Sequence, residues 1–174
     1  NIHCFAVSGN NIFASTEYHG IYISTNNGSS WQQTSFNNQT VYPLAVNGNN
    51  IFAGSYGVYR STDNGSNWYI TGLTNFTRSL AVLGTKIFAG TNNDSGIFLS
   101  TNNGTNWTQT ALNNKTVVSL SVSGSNIFAG TQLNGVFIST NEGVNWSQTS
   151  LNNQTVVCLV TIGNNVFAGT DLNG

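Results

Sequence analysis

An eight-residue phrase recurs four times in this chain: STNNGSSW at residues 24–31, STDNGSNW at 61–68, STNNGTNW at 100–107 and STNEGVNW at 139–146. A second phrase, IFAS, IFAG or VFAG, begins at Ile12, Ile51, Ile87, Ile127 and Val166. The tryptophans that close the octets, Trp31, Trp68, Trp107 and Trp146, are 37, 39 and 39 residues apart. A period near 39 residues restricts the fold more than any other feature. Each copy must be one supersecondary unit that buries its apolar face against its neighbours.

Within a period, short apolar runs alternate with turn residues. In the second copy PLAV (Pro43 to Val46) reads as strand A, NGNN as a turn and IFAGS as strand B. GVYRST reads as strand C, and Trp68 as opening strand D after the octet turn. β-branched and aromatic residues fill the strands, and Asn and Gly fill the gaps. No segment carries a helical period. Four short strands in about 40 residues is the pattern of a β-propeller blade; a β-helix is the alternative, but its rungs are shorter. The expected fold is all-β, built of blades of four antiparallel strands. Four blades are complete, and strands A and B of a fifth follow. The units span residues 1–39, 40–76, 77–115, 116–154 and, in part, 155–174, within a single repeat region covering 1–174.

The octets read as framework. Gly28, Gly65, Gly104 and Gly143 supply the backbone freedom of a tight turn. Ser24, Ser61, Ser100 and Ser139 offer hydroxyls to local backbone groups, and so do the side-chain oxygens of Asn26, Asp63, Asn102 and Asn141. Only one octet carries an acid in its third position. Asn keeps one acceptor oxygen, so a turn tolerates this exchange, whereas a catalytic or metal-binding carboxylate does not. Each Trp is then expected to pack between its own turn and its blade, all four buried alike. The octet resembles the Asp-box, or BNR, repeat, Ser/Thr-x-Asp-x-Gly-x-Thr/Ser-Trp. Sialidases, sortilin-type receptors and a photosystem assembly factor carry that repeat on propeller blades. The resemblance covers essentially the whole chain. It implies a secreted, bacterial-type propeller whose octets are structural turns between strands C and D, away from any active site.

Charge narrows the partners. Only 5% of residues are charged, against roughly 25% in an ordinary domain, and the net charge is −1. Without a basic stripe, nucleic acid has no electrostatic footprint to bind. No apolar run approaches the roughly 20 residues of a membrane span, so membrane insertion is not expected. A surface of Asn, Ser, Thr and Gly points to an extracellular or cell-surface location.

Chemistry is sparse. A sialidase surrounds its substrate carboxylate with three arginines, and this chain has Arg60 and Arg78, expected to be solvated or cation–π partners. His3 and His19 have no Cys or carboxylate at ligand spacing, so no metal or cofactor is expected. Glu17, Asp63, Asp94, Glu142 and Asp171 fall in different units. The reading is therefore non-enzymatic. Cys4 and Cys158 occupy the same strand-A position of the first and fifth units and are expected as buried free thiols. Asn38, Asn75, Asn114 and Asn153 recur as sequons in every D–A connection; a copied polar turn explains them, with glycosylation as the alternative.

In an up-and-down blade the A–B and C–D turns share one end, and the B–C and D–A turns the other. The first end is nearly constant between copies. The B–C loops differ: TEYHG, SYG, TNNDSG, TQLNG and TDLNG. Loops that meet partners diversify while framework loops stay uniform. Tyr18, His19, Tyr56, Asn93, Asp94, Gln132 and Leu133 are thus the candidate contact residues, suited to a glycan or a protein ligand. Two other readings remain: a structural repeat that self-associates through its open final strand, and a piece of a glycoside hydrolase whose catalytic residues lie elsewhere. The chain reads as a window of a longer propeller.

Overall fold

The computed structural model describes residues 1–171; residues 172–174, the end of the fifth B–C loop, lie outside the described residues. The strands follow the repeat. The first blade contains β1 (Ile2–Ser8), β2 (Asn11–Thr16), β3 (Ile21–Ser24) and β4 (Gln32–Gln33). The second contains β5 (Leu44–Asn47), β6 (Asn50–Ser55), β7 (Gly57–Ser61) and β8 (Tyr69–Ile70). The third contains β9 (Thr77–Leu83), β10 (Lys86–Thr91), β11 (Ile97–Ser100) and β12 (Thr108–Gln109). The fourth contains β13 (Val117–Ser123), β14 (Asn126–Thr131), β15 (Gly135–Ser139) and β16 (Ser147–Gln148), and β17 (Val156–Ile162) and β18 (Asn165–Thr170) pair as the fifth. Each complete sheet is antiparallel in the order A-B-C-D. The fold is thus four propeller blades and half of a fifth.

The A strands of successive blades stand side by side, β1 by β5, β5 by β9, β9 by β13 and β13 by β17. All five A strands line one axial cavity. Strand D is shorter than the sequence suggests. In the second blade it pairs only Tyr59 with Ile70 and Arg60 with Tyr69, and Trp68 lies just before it rather than opening it.

Every apolar cluster straddles a blade boundary. Phe13, Ile21 and Phe36 of the first blade pack with Val41, Leu44 and Ile51 of the second. The same arrangement repeats at the next junctions. Burial therefore holds blades to one another as much as strands within them.

The octets take part in this docking. Ser61 Oγ donates to Asp63 Oδ1 (2.9 Å) and accepts the Gly65 N–H (2.9 Å). Asp63 Oδ1 also accepts the Asn67 N–H (2.9 Å). Asn26, Asn102 and Asn141 accept the equivalent bonds through their one amide oxygen, from Ser24 and the Ser30 N–H, Ser100 and the Asn106 N–H, and Ser139 and the Asn145 N–H. The second Asp63 oxygen adds a bond from Asn67 Nδ2 (2.7 Å), which holds its carboxyl below the ordinary aspartate range together with the Asn67 N–H and Ser61. Each turn is closed by a glycine at positive φ: Gly28 at 82°, Gly65 at 83°, Gly104 at 81° and Gly143 at 86°.

These turns face the preceding blade, not only their own. Gly65 stands over Phe13 and Thr34, Gly104 over Phe52 and Thr71, and Gly143 over Phe88. Trp107 Nε1 donates to Thr71 Oγ1 of the second blade as well as to the Gly104 carbonyl, both at 3.1 Å. Trp68 packs edge-on to Phe36 of the first blade, with centroids 5.6 Å apart. Equal burial of the four tryptophans is therefore incorrect. Trp31 is 37% exposed, with no preceding blade among the described residues to pack on, whereas its three counterparts are half-buried.

Arg60 is not simply solvated. Its Nη1 donates to the Asn103 carbonyl at 2.8 Å and so ties the second blade to the third octet. Lys86 and Glu142 pair across the next junction.

Both thiols are free, but only Cys4 is partly buried, and that burial pushes its pKa up. Cys158, expected to be buried, is exposed on the open side of the fifth unit. That side also exposes Val160 and Phe167, while the opposite end of the array exposes Ile2, Phe5 and Val7.

Candidate functional site

The B–C loops and D–A connections share the end of the blades remote from the octets. Three of the B–C loops are anchored to the next D–A connection by a backbone N–H. The Tyr18 N–H donates to Thr40 Oγ1 (3.2 Å), Asp94 to Thr116 Oγ1 (3.1 Å) and Leu133 to Thr155 Oγ1 (3.2 Å). These three tip residues adopt positive φ, at 68°, 54° and 65°, and Asn93 does so at 53°. Asn and Asp tolerate this region; Tyr and Leu are strained in it. At these positions the side chains stand outward: Tyr18 and Leu133 are each 68% exposed. His19 is exposed, with Nδ1 3.1 Å from the Glu17 carbonyl, and Gln132 is exposed, its N–H donating to the Thr116 carbonyl. Glu17 beside Tyr18 pushes the phenol pKa up.

The second unit breaks this pattern. Its loop is shorter, and Phe76, just ahead of β9, stands where the other connections place Thr40, Thr116 and Thr155. Tyr56, 71% exposed at the loop tip, bridges Phe76 through the backbone and stacks edge-on to it at 5.1 Å. Phe76 in turn meets Tyr42 at 5.3 Å, and Tyr42 meets His3 at 4.9 Å. A continuous run of four rings thus leads from the rim towards the axis.

At its inner end the run reaches the axial cavity of about 480 Å³. His3, Arg78, Val118 and Val157 in strand A, and Tyr42 just ahead of β5, line the cavity from equivalent places in the repeat, one per blade. No carboxylate is among its lining residues, and Arg78 has no ion pair or hydrogen bond among the described residues.

The structure thus puts Tyr18, His19, Tyr56, Asn93, Asp94, Gln132 and Leu133 at one end, on separate loops. It links Tyr56 alone to the ring run. His3, Tyr42, Phe76 and Arg78 were missed as a group because they are remote in sequence. The available signal was their departure from the residue that the other copies carry. Asn38, Asn114 and Asn153 are exposed on D–A connections at the same end, and Asn75 is half-buried there. Among the described residues no three His, Cys, Asp or Glu side chains gather, and no helix is long and apolar enough to cross a membrane.

No family model and no curated protein matches the chain. Solved structures do. The extracellular domain of BT4673 from B. thetaiotaomicron superposes with a TM-score of 0.79 at 19% identity, over 98% of this chain and 26% of that one. An ancestral GH74 enzyme gives 0.72 at 26% identity, over 86% of this chain and 23% of that one. YCF48 from Cyanidioschyzon merolae gives 0.72 at 17%, over 96% and 63%, and YCF48 bound to D1 peptide gives 0.67 at 16%, over 98% and 60%. The chain spans about a quarter of the GH74 and BT4673 chains.

Proposed function

We propose that the chain is an extracellular, non-enzymatic binding module that holds a glycan or protein ligand on its B–C and D–A face. One observation carries this reading. Variation between copies is concentrated at that end, where Tyr and Leu side chains are held outward at a backbone cost, while the octet end is repeated nearly unchanged. On this reading the octets are Asp-box turns with a framework role. The likeness to an extracellular domain and to a peptide-bound propeller supports the location and the mode. The test is a glycan array and a random-peptide display screened with the chain and with a Tyr18→Ser, Tyr56→Ser, Leu133→Ser variant. Specific binding that the variant loses supports the face; binding untouched by the triple change would place the ligand elsewhere.

A second reading is self-association. Phe5 and Val7 at one end and Val160 and Phe167 at the other expose apolar faces that internal junctions cover. Mass that rises with concentration in ultracentrifugation favours it; a monomer throughout excludes it. The hydrolase alternative draws on the GH74 likeness, and turnover of an aryl β-glucoside by the chain would support it.

A further inference from the structure

Most departures from the common residue gather at the B–C and D–A end, but one group lies on the outer edge of the second blade. Strand D is the last strand of each complete sheet, so one side of it is unpaired. After the octet tryptophan the other complete blades read Gln32 and Gln33, Thr108 and Gln109, and Ser147 and Gln148. The second residue of each pair has a framework task. The Nε2 groups of Gln33, Gln109 and Gln148 donate to the His19, Ser95 and Asn134 carbonyls at 2.7, 2.9 and 2.7 Å, which ties strand D to the B–C loop. The second blade has Tyr69 and Ile70 instead, 67% and 52% exposed. Its strand C has Arg60 where the others have Ile23, Leu99 and Ile138. Arg60 and Tyr69 are cross-strand partners and so share a face of the sheet. That face looks onto the third octet, because Arg60 Nη1 donates to the Asn103 carbonyl. Arg60, Tyr69, Thr71, Gly72 and Thr105 border a groove of about 240 Å³ between the two blades.

We infer that this edge is a docking site for an extended acidic peptide, which joins the second blade as a fifth strand beside β8 and sets a carboxylate on Arg60. The site is separate from the binding face above and does not rest on it. Backbone geometry supplies the edge. The Thr71 N–H donates to the Val58 carbonyl, and Arg60 pairs with Tyr69. The alternation of an antiparallel ladder therefore turns the N–H and C=O of Ile70 away from strand C, toward the open side. An added strand binds through such unpaired groups and takes its specificity from alternate side chains. Sheet edges are ordinarily blunted by polar or charged residues. Three blades follow that rule, whereas the second presents an aromatic and a β-branched residue, the types that favour a strand neighbour. Charge selects among peptides. The ion pair among the described residues joins Lys86 to Glu142, so no carboxylate of these residues meets Arg60. The bond to Asn103 holds the guanidinium at the groove with further N–H groups to donate. Side chains of an added strand alternate between faces. The residue opposite Ile70 meets that apolar side chain, and those on either side of it face Arg60 and Tyr69. The expected ligand thus carries an apolar residue next to an acidic one.

The probes are the capped hexapeptide TVEVTT and the same peptide with Gln in place of Glu. Each is titrated into the isotope-labelled chain and followed by amide NMR shifts at fixed salt. Shifts are expected from Tyr69 to Gly72 and at Gly104 and Thr105, and the Glu peptide should bind about tenfold more tightly than the Gln peptide. Arg60→Gln should make the two peptides bind alike. The triple variant Arg60→Leu, Tyr69→Thr, Ile70→Gln gives the second blade the residues of the third, an edge that this chain already folds, and should bind neither. If the triple variant does not melt cooperatively, Arg60→Gln decides, since its readout is a ratio between two ligands on one protein. Equal affinity for the two peptides in the parent, a preference that survives Arg60→Gln, or binding that survives the triple variant overturns the inference. So do shifts confined to other parts of the chain, and so does the absence of shifts with either peptide. A neutral glycan, cellohexaose, that moves the Tyr69 to Gly72 amides when the peptides do not overturns it as well.

Discussion

Replacing the octet glycines by alanine separates two costs that the turns combine. Gly28, Gly65 and Gly143 have nearly the same φ, 82°, 83° and 86°, so the backbone term is common to all three. For an L-residue in the left-handed region it is about 1–2 kcal/mol. The surroundings of the added Cβ differ. At Gly28 the nearest atom is Trp31 Cζ2 at 3.9 Å, an ordinary contact. At Gly65 it meets Phe13 Cε1 at 3.1 Å and Thr34 Cγ2 at 3.3 Å. At Gly143 it meets Phe88 Cε1 at 2.7 Å, on a ring that is fully buried and has little room to retreat. Overpacking of this kind adds about 1–3 kcal/mol.

Gly28→Ala should therefore cost about 1–2 kcal/mol, and Gly143→Ala about 2–5 kcal/mol, with Gly65→Ala between them. Urea unfolding followed by tryptophan fluorescence reads the series, provided the slope with denaturant is unchanged among variants. The comparison tests the claim that each octet is a contact between blades. Equal costs at Gly28 and Gly143 would show that only the turn matters. A larger cost at Gly28 would show that the docking seen at the later octets contributes nothing.

Asp63→Asn should be nearly silent at neutral pH, because Asn26, Asn102 and Asn141 make the same turn bonds; a variant that unfolds would refute the equivalence. Asp63 has a depressed folded-state pKa, so its contribution is present above the ordinary aspartate value near about 3.9 and is lost as pH falls through the lower folded value. Acid titration of the melting temperature should show a small step there in the parent and none in Asp63→Asn. Trp107→Ala, which loses packing on the second blade and the bond to Thr71, should cost about 3 kcal/mol, and Trp31→Ala clearly less; calorimetric melting that ranks them the other way contradicts the interface. Leu133→Asn should raise stability by about 0.5–1 kcal/mol through relief of the strained φ while weakening any ligand held at the rim; a loss of stability would mean that the Leu133 side chain packs against the fold. Hydrogen exchange should be slowest in β6 and β10 and fastest in β17 and β18, where one side has no neighbour; uniform protection to Asp171 would require a covering partner.

What could be read from the letters was whatever the chain repeats locally. The spacing of Ile12, Ile51, Ile87, Ile127 and Val166 locates strand B because a strand and its flanking turns are contiguous, and Gly65 or Asn26 specify a turn by their own backbone preferences. The junctions were not legible in the same way. Nothing near Trp107 in sequence says that its indole reaches Thr71, thirty-six residues earlier, since that depends on which face of a sheet meets the next. The same distance hid the candidate site. His3 looked isolated, and Arg78 looked like one more surface cation. Each becomes informative only when the copies are laid in register, because stacking turns a shared place in the repeat into proximity around the axis. Tyr18, Asp94 and Leu133 were found from loop diversity alone, whereas Tyr42 and Phe76 lie just ahead of β5 and β9, where diversity is easily taken for ordinary core variation. A repeat protein separates its framework from its specificity in this way. What is copied holds the blades together, and much of what departs from the copy converges on one end of the axis, which is where Arg78 and the ring run from His3 to Tyr56 are found.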